Sequence, residues 1–130
     1  MQSAYKILIS EKLVLKKFSG EVTIDDMKEI FKIAKELHDL HPNYQVLNDY
    51  TQASFKFNKD DFTNLMSSFT KSHFPFKPKN FIVKSPKQFV MYSFYKDNYK
   101  FKNTAIFNTI EGACSSIRVN PSLVKEFFST

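Results

Sequence analysis

YQVLNDYTQASFKFNKDDFTNLMSSF, residues Tyr44–Phe69, is the stretch that decides the fold. A short apolar strand, Tyr44–Asn48, leads to a polar segment, Asp49–Phe55, that we interpret as a loop. A helix is predicted to begin at Asn58, with apolar residues at helical spacing after it. This is a strand–loop–helix unit of an α/β sheet, and ligands of such sheets bind at the carboxyl ends of the strands. The segment has no glycine and no nucleophile beside a base, so it indicates where a site lies without its chemistry.

On either side of this stretch the chain alternates strands and helices. Two apolar runs, residues 4–10 and Leu13–Phe18, lie so close that they must form an antiparallel hairpin, because parallel strands need a long crossover. Further strands are predicted at Asn80–Lys84 and Thr104–Phe107. The predicted order is β-β-α-β-α-β-α-β-α plus a tail helix. That order favours a single α/β domain, residues 1–130, with a mostly parallel five-stranded mixed sheet.

Helix starts are marked by capping residues. Thr23 precedes a helix with an acid at its third position, and both Ser85 and Asn120 are followed by proline, which is favoured at the first helical position. Breaks are expected at residues 19–21 and at His41. In the second helix, the spacing i, i+3, i+4, i+7 predicts a buried face of Phe62, Leu65, Met66 and Phe69.

Composition narrows the class of protein. The net charge is +6, but Arg118 is the single arginine among 19 basic residues, and lysine is poorly suited to bidentate recognition of bases and phosphates. We therefore expect no specific nucleic-acid binding. One cysteine, Cys114, excludes an intrachain disulfide and fits a reducing compartment. The short apolar run near the N-terminus predicts neither a signal peptide nor a membrane span, so a cytoplasmic protein is expected.

Four motifs resemble those of a known family: FSGEVTIDDM, YQVLNDYTQASF, FNKDDFTNLM and TAIFNTIEGA, at residues 18–27, 44–55, 57–66 and 104–113. They are similar to the STAS domain (sulfate transporter and anti-sigma-factor antagonist), and more closely to its SpoIIAA-like bacterial members. The resemblance implies a SpoIIAA-like fold and a small noncatalytic module. Anti-sigma antagonists carry a phosphorylated serine in an Asp-Ser-Ser-Gly type motif at the start of the second helix. No such motif stands in this sequence.

The candidate ligand or regulatory segment is the predicted loop, with Asp49, Thr51 and Ser54 as its polar groups. Its hydroxyls would contact a ligand or be modified; the alternative is that they only make local turn hydrogen bonds. His38 and His41 have the spacing of a metal-binding pair, but a zinc site needs more ligands and we interpret them as boundary histidines. No catalytic residue, metal ligand or cofactor motif is predicted.

The third helix is apolar around most of its circumference, which is typical of a fully buried helix or of an interface. If Phe89 and Tyr92 face the sheet, the side chains that face away include Val90, Phe94 or Tyr95. We expect these three to form a homodimer interface, because exposed apolar patches usually mark contact sites. The competing explanation is that the tail helix, through Phe127 and Phe128, folds over this patch.

These observations predict a noncatalytic cytoplasmic module, not an enzyme, that acts by binding a protein partner or a second copy of itself. The alternative is a carrier or sensor of a small lipophilic ligand, held by phenylalanines between the helices and the sheet.

Overall fold

The computed structural model describes residues 1–71, 79–98 and 104–129, without the side chains of residues 69–71 and 98. These ranges contain five strands and five helices. The strands are β1 Gln2–Leu8, β2 Leu13–Val22, β3 Gln45–Phe55, β4 Lys79–Ile82 and β5 Thr104–Phe107. The helices are α1 Ile24–Leu40, α2 Lys59–Lys71, α3 Pro86–Asn98, α4 Ile110–Ile117 and α5 Pro121–Phe128. The predicted α/β order and mixed five-stranded sheet are confirmed.

The strands lie side by side in the order in which they occur along the chain, β1-β2-β3-β4-β5. β1 pairs antiparallel with β2, and the other neighbouring pairs are parallel. Because parallel crossovers are right-handed and all three run in the same direction across the sheet, α1, α2 and α3 pack on one face. The remaining helices, α4 and α5, follow the last strand and cover the opposite face.

Each face of the sheet has its own apolar core. The front core, under α1–α3, is rich in aromatic residues and centres on Phe18, Tyr50, Phe62 and Tyr92. The back core, under α4 and α5, contains mainly aliphatic residues of β2, β3 and β4, with Cys114 and Phe128. Cys114, on α4, is buried.

The predicted helix caps are confirmed. The Thr23 hydroxyl accepts from the Asp26 amide and the Asp26 carboxylate accepts from the Thr23 amide, so the two form a capping box. Asn120 caps α5, with Pro121 as its first residue. The Thr109 hydroxyl caps α4 by accepting from the Gly112 amide.

The expected break at residues 19–21 and the expected loop at Asp49–Phe55 are both wrong. β2 continues to Val22 and β3 continues to Phe55, and the two pair over their full length. The ladder shifts by one residue between Lys17 and Ser19, because β3 inserts an extra residue there. Such a bulge hides the alternation that sequence patterns depend on. Gly20, with φ +82°, takes a backbone conformation that other residues rarely adopt.

Candidate functional site

Asp49, Thr51 and Ser54 therefore lie on the second half of β3, not in a loop. Asp49 is buried, and its Oδ1 accepts a hydrogen bond from the Thr51 amide at 2.9 Å. This bond satisfies a backbone donor at the bulge. Thr51 is half-buried and Ser54 is exposed. The structure brings the three into one segment, with Ser54 the most accessible hydroxyl.

The open edge of this segment is held by α3. β4 ends opposite Asp49, so beyond that point none of the described strands pairs with the carbonyls of β3 on this side. The Gln88 Nε2 donates to the carbonyls of Tyr50 and Ala53, at 3.0 and 2.8 Å. Lys87 Nζ donates to the Phe55 carbonyl at 2.9 Å. Side chains of α3 thus replace a neighbouring strand.

Gln88 also forms a capping box with Ser85 at the start of α3. Its Oε1 accepts from the amides of Lys84 and Ser85, and its own amide donates to the Ser85 hydroxyl. One buried side chain therefore joins the helix start to β3, which fixes α3 relative to the proposed regulatory segment.

The start of α2, where anti-sigma antagonists are expected to carry their serine, holds Asn58. Its side-chain oxygen accepts from the Asp61 amide at 2.8 Å. Asp60 and Asp61 occupy the first turn, where the helix dipole favours acids. This position offers no hydroxyl for modification, in agreement with the missing motif.

The third helix turns a different face to the sheet from the one expected. Tyr92 is buried as expected, but Tyr95 is also buried, with 2% of its surface exposed, and cannot belong to a surface patch. Phe89 faces solvent instead, 53% exposed, beside Val90 at 56%. Phe94 is half-buried, and the ammonium of Lys59 lies 4.1 Å from its ring centroid. The outward apolar patch, which we call the α3 patch, is therefore Phe89, Val90 and Phe94.

The tail helix does not cover the α3 patch. Phe127 and Phe128 pack with the back core, against β2, β3 and β4, on the face of the sheet opposite α3. The competing explanation for the apolar third helix is therefore wrong, and within the described part of the chain α5 cannot shield Phe89 or Val90.

A second feature lies between α1 and the amino-terminal halves of β2, β3 and β4. This is a cavity of about 40 Å³, enough for roughly three water molecules. We call it the α1 cavity. The wall is mostly apolar, from Val14, Ile30, Phe31, Ala34, Leu37, Val46 and Phe81. At its outer end the rings of His41 and Tyr44 stack, with centroids 4.6 Å apart.

Two lysines line the α1 cavity. Lys16 is 3% exposed, and burial lowers its pKa to about 8. Lys79 is half-buried, and burial followed by the charge of Lys16 lowers its pKa to about 7. The Lys79 ammonium lies 3.5 Å from the Tyr95 hydroxyl. All 13 acidic residues of the chain fall within the described ranges, and none of them lines the cavity.

Other polar groups surround these lysines. Asn48 pairs with Lys16 in the sheet register, and its amide donates to the Asn80 carbonyl at 3.2 Å. Burial raises the pKa of Tyr50 and of Tyr95 above the ordinary range, so both hydroxyls stay protonated near neutral pH. The environment is thus positively charged, with neutral hydroxyls and one amide.

His38 and His41 both line this cavity near the end of α1. Across the described ranges, no three side chains of histidine, cysteine, aspartate or glutamate come together in a way that could hold a metal ion. Burial raises the pKa of the Cys114 thiol, which does not favour the reactive thiolate.

The α1 cavity does not follow from the sequence motifs, although the alternation of residues along β2 contains a signal for it. Val14, Lys16 and Phe18 alternate along one strand, so a lysine occupies an inward position between two core residues. The same period of two in β4 places Lys79 on the face that carries Phe81.

The strand order and the packing of the helices on the two faces of the sheet define a SpoIIAA-like fold. A solved structure described as the anti-sigma factor antagonist SpoIIAA in its unphosphorylated form matches with a TM-score of 0.50. The match covers 88% of this chain and 98% of that one, at 13% sequence identity. This likeness confirms the fold that the sequence motifs implied.

No family model matches the sequence, and no curated protein matches it. None of the helices within the described residues has the length and apolar character needed to cross a membrane.

Proposed function

We propose that this chain is a noncatalytic, cytoplasmic regulatory module that acts by binding a protein partner or a second copy of itself. The observation that carries the proposal is the α3 patch. Phe89 and Val90 are adjacent, more than half exposed and on a helix whose buried side is already occupied by Tyr92 and Tyr95. Leaving such side chains in water is unfavourable by roughly 1.5–3 kcal/mol each relative to full burial.

Self-association is the simplest use of this patch, because twofold contacts are the commonest in soluble homo-oligomers. Lysines 84, 87 and 96 flank the patch on the same helix and the residues before it, and they are exposed. Lysine is depleted from interface cores and common at their rims. This arrangement supports a homodimer with an apolar centre and a charged border.

Sedimentation velocity tests this proposal. We expect wild-type protein to be a dimer at tens of micromolar and the Val90→Glu variant to be a folded monomer. Leu40→Glu is the matched control: Leu40 is an exposed apolar residue at the end of α1, away from the patch, and its variant should remain a dimer. A wild-type monomer at this concentration contradicts self-association and leaves a different protein partner as the target of the patch.

Regulation is proposed for the segment Asp49–Phe55. Its support is that Ser54 is exposed and that the segment joins α3, which bears the patch, through Gln88. Ser54→Glu, which mimics the charge of a phosphorylated serine, should change the dimer dissociation constant. Ser54→Ala should leave that constant unchanged. Equal dissociation constants for both variants contradict this role.

The α1 cavity favours a second candidate function, a carrier or sensor of a small lipophilic ligand. Ligand sites are mostly apolar concavities with a few placed polar groups, and this cavity has both. Native mass spectrometry of protein purified from a heterologous host separates the two candidates. A retained small molecule supports the carrier function, and a ligand-free dimer supports the interaction module.

A further inference from the structure

Lys16 is the least expected side chain in the molecule. It lies on the front face of β2 between Val14 and Phe18, with 3% of its surface exposed. It has no hydrogen-bond or ion-pair partner among the described residues. An unpaired buried charge is costly, and buried cations are normally paired or neutralised.

The second cation lies in the same cavity. Lys79 is next to Val46 in the sheet, and Val46 is next to Val14, so the two lysines are two strands apart and offset by the two residues from Val14 to Lys16 along β2. Neighbouring strands are about 4.8 Å apart, which puts the two backbones roughly 10 Å apart across the sheet. Two lysine side chains are long enough to bring their ammonium groups toward the same part of the cavity across this distance. The charge of Lys16 does act on Lys79, whose pKa it lowers.

Two lysines in one cavity, with no carboxylate among the described residues that line it, define a place where an anion is favourable. An anion there would raise the pKa of both ammonium groups, because a nearby opposite charge stabilises the ionised form. The apolar wall from Ile30, Ala34 and Leu37 requires that the anion carry a hydrocarbon part.

The donor set favours a carboxylate over a phosphate. Phosphate sites commonly use arginine forks, helix N-termini or glycine-rich backbone cradles. The single arginine, Arg118, lies at the end of α4 on the other side of the sheet, and the cavity wall contains no glycine. With a volume of about 40 Å³, the enclosed space accepts a carboxylate group, and the hydrocarbon chain is directed toward the half-buried end at His41 and Tyr44.

We propose that the α1 cavity binds an aliphatic monocarboxylate, with its carboxylate between the ammonium groups of Lys16 and Lys79 and its chain against the apolar face of α1. The inference rests on the carrier function proposed above and names its ligand class. It is independent of the α3 patch, which lies on another helix.

Hexanoate is the test ligand, added to the full-length chain at pH 6.5 and followed by calorimetry and by backbone amide shifts. We expect one site, with shifts in α1 and at residues 14–16. Binding of 1-hexanol, which has the same chain without the charge, should be at least tenfold weaker. Inorganic phosphate should not displace hexanoate.

Two variants probe the lysines, and one serves as control. Lys16→Met and Lys79→Met should each weaken hexanoate binding at least tenfold. Lys17→Met changes the adjacent lysine, which does not line the cavity, and should stay within twofold of wild type. Two lysine variants are used so that the test remains possible if one of them does not fold. The amide spectrum shows whether each variant is folded.

The outcomes separate the inference from the function on which it rests. Equal binding of hexanol and hexanoate overturns the carboxylate inference and leaves the carrier function standing. Absence of binding by both, at millimolar concentration, overturns both. Unchanged affinity in both lysine variants, or displacement by phosphate at equal concentration, also overturns the proposed ligand class.

Discussion

The side-chain amide of Gln88 donates to the backbone carbonyl of Tyr50 at 3.0 Å, and this hydrogen bond joins the first turn of α3 to the unpaired edge of β3. A second bond from the same nitrogen reaches Ala53. Because β4 is only four residues long, β3 extends beyond it. The Gln88 side chain supplies the hydrogen-bond donors for the Tyr50 and Ala53 carbonyls that a longer β4 would have supplied. The length of β3 and the position of α3 therefore depend on one buried amide.

Replacing Gln88 should destabilise the fold. Gln88→Leu keeps the size of the side chain but leaves the Tyr50 and Ala53 carbonyls and the Lys84 amide without this partner. Each unsatisfied buried group costs about 1–3 kcal/mol, so we expect the free energy of unfolding to fall by ~2–4 kcal/mol in urea melts. Gln52→Leu, at an exposed glutamine on β3, is the control and should change it by under about 1 kcal/mol. Equal effects would show that Gln88 is not a structural link.

Phe62 should be the most costly truncation on α2. Its ring lies within 5.8–6.4 Å, centroid to centroid, of Phe31, Phe57, Tyr92 and Tyr95, and it is fully buried. Phe62→Ala is expected to lower the free energy of unfolding by ~3–5 kcal/mol. Ile9→Ala, in the exposed hairpin turn, is the comparison. A loss under about 1 kcal/mol for Phe62→Ala would contradict the packing of α2.

The expected inward face of α2 also included Phe69, whose side chain lies outside the described residues. Its other three members, Phe62, Leu65 and Met66, are buried, so that part of the prediction is confirmed.

Asp49 allows a structural role to be separated from a regulatory one. Asp49→Ala removes the acceptor for the Thr51 amide and should cost about 1–3 kcal/mol of unfolding free energy. Asp49→Asn keeps a carbonyl oxygen at the same place and should recover most of that loss. If Asp49→Asn is as stable as wild type but alters dimer dissociation, the carboxylate charge has a regulatory role; unchanged dissociation would leave it a bulge-stabilising residue.

Stability should rise with pH between about 8 and 9.5. The folded pKa of Lys16, about 8, lies below that of an unfolded lysine, so unfolding takes up a proton in this range. The expected slope is ~1.4 kcal/mol per pH unit for this lysine. Lys79 contributes in the same direction from about pH 7.

Lys16→Met isolates this contribution. The other titratable groups that line the cavity with Lys16 are Lys79, His38, His41, Tyr44, Tyr50 and Tyr95. Burial raises the pKa of Tyr50 and Tyr95, so these hydroxyls ionise above the window. The variant should have a flatter pH profile and, at pH 7, a higher free energy of unfolding than wild type, since an apolar side chain replaces a buried charge. Parallel profiles, measured by urea unfolding at each pH, would contradict the burial of a lowered-pKa ammonium.

Sequence patterns predicted the elements better than their ends. The hairpin, the caps at Thr23 and Asn120 and the strand Thr104–Phe107 follow from local chemistry and are confirmed. The carboxyl-terminal half of β3 does not follow from local chemistry, because its polar residues are typical of a loop. What makes it a strand is distant in sequence: Ser19–Val22 on one edge and Gln88 on the other.

The two candidate sites show the same limit. Helix three was recognised as apolar all round, but which side faces the sheet depends on the packing of Tyr95 beside Phe62 and Phe81, which no local pattern specifies. Lys16 and Lys79 belong to a residue type that is normally exposed, so composition alone does not single them out. Their meeting in one cavity depends on strand register, which brings together residues 63 positions apart only after β2, β3 and β4 have paired.

The identity of sheet order and chain order has a consequence for synthesis on the ribosome. Each strand pairs with the strand synthesised just before it, so the sheet can be extended as the polypeptide emerges. None of the described strands has to pair with one that is separated from it in the sequence by another strand. The back face is different. Leu13, Leu15 and Leu47 stay exposed until α4 and α5, the last helices to be synthesised, pack over them. A nascent chain that stops before Ile110 therefore exposes an apolar surface, to which chaperones would bind.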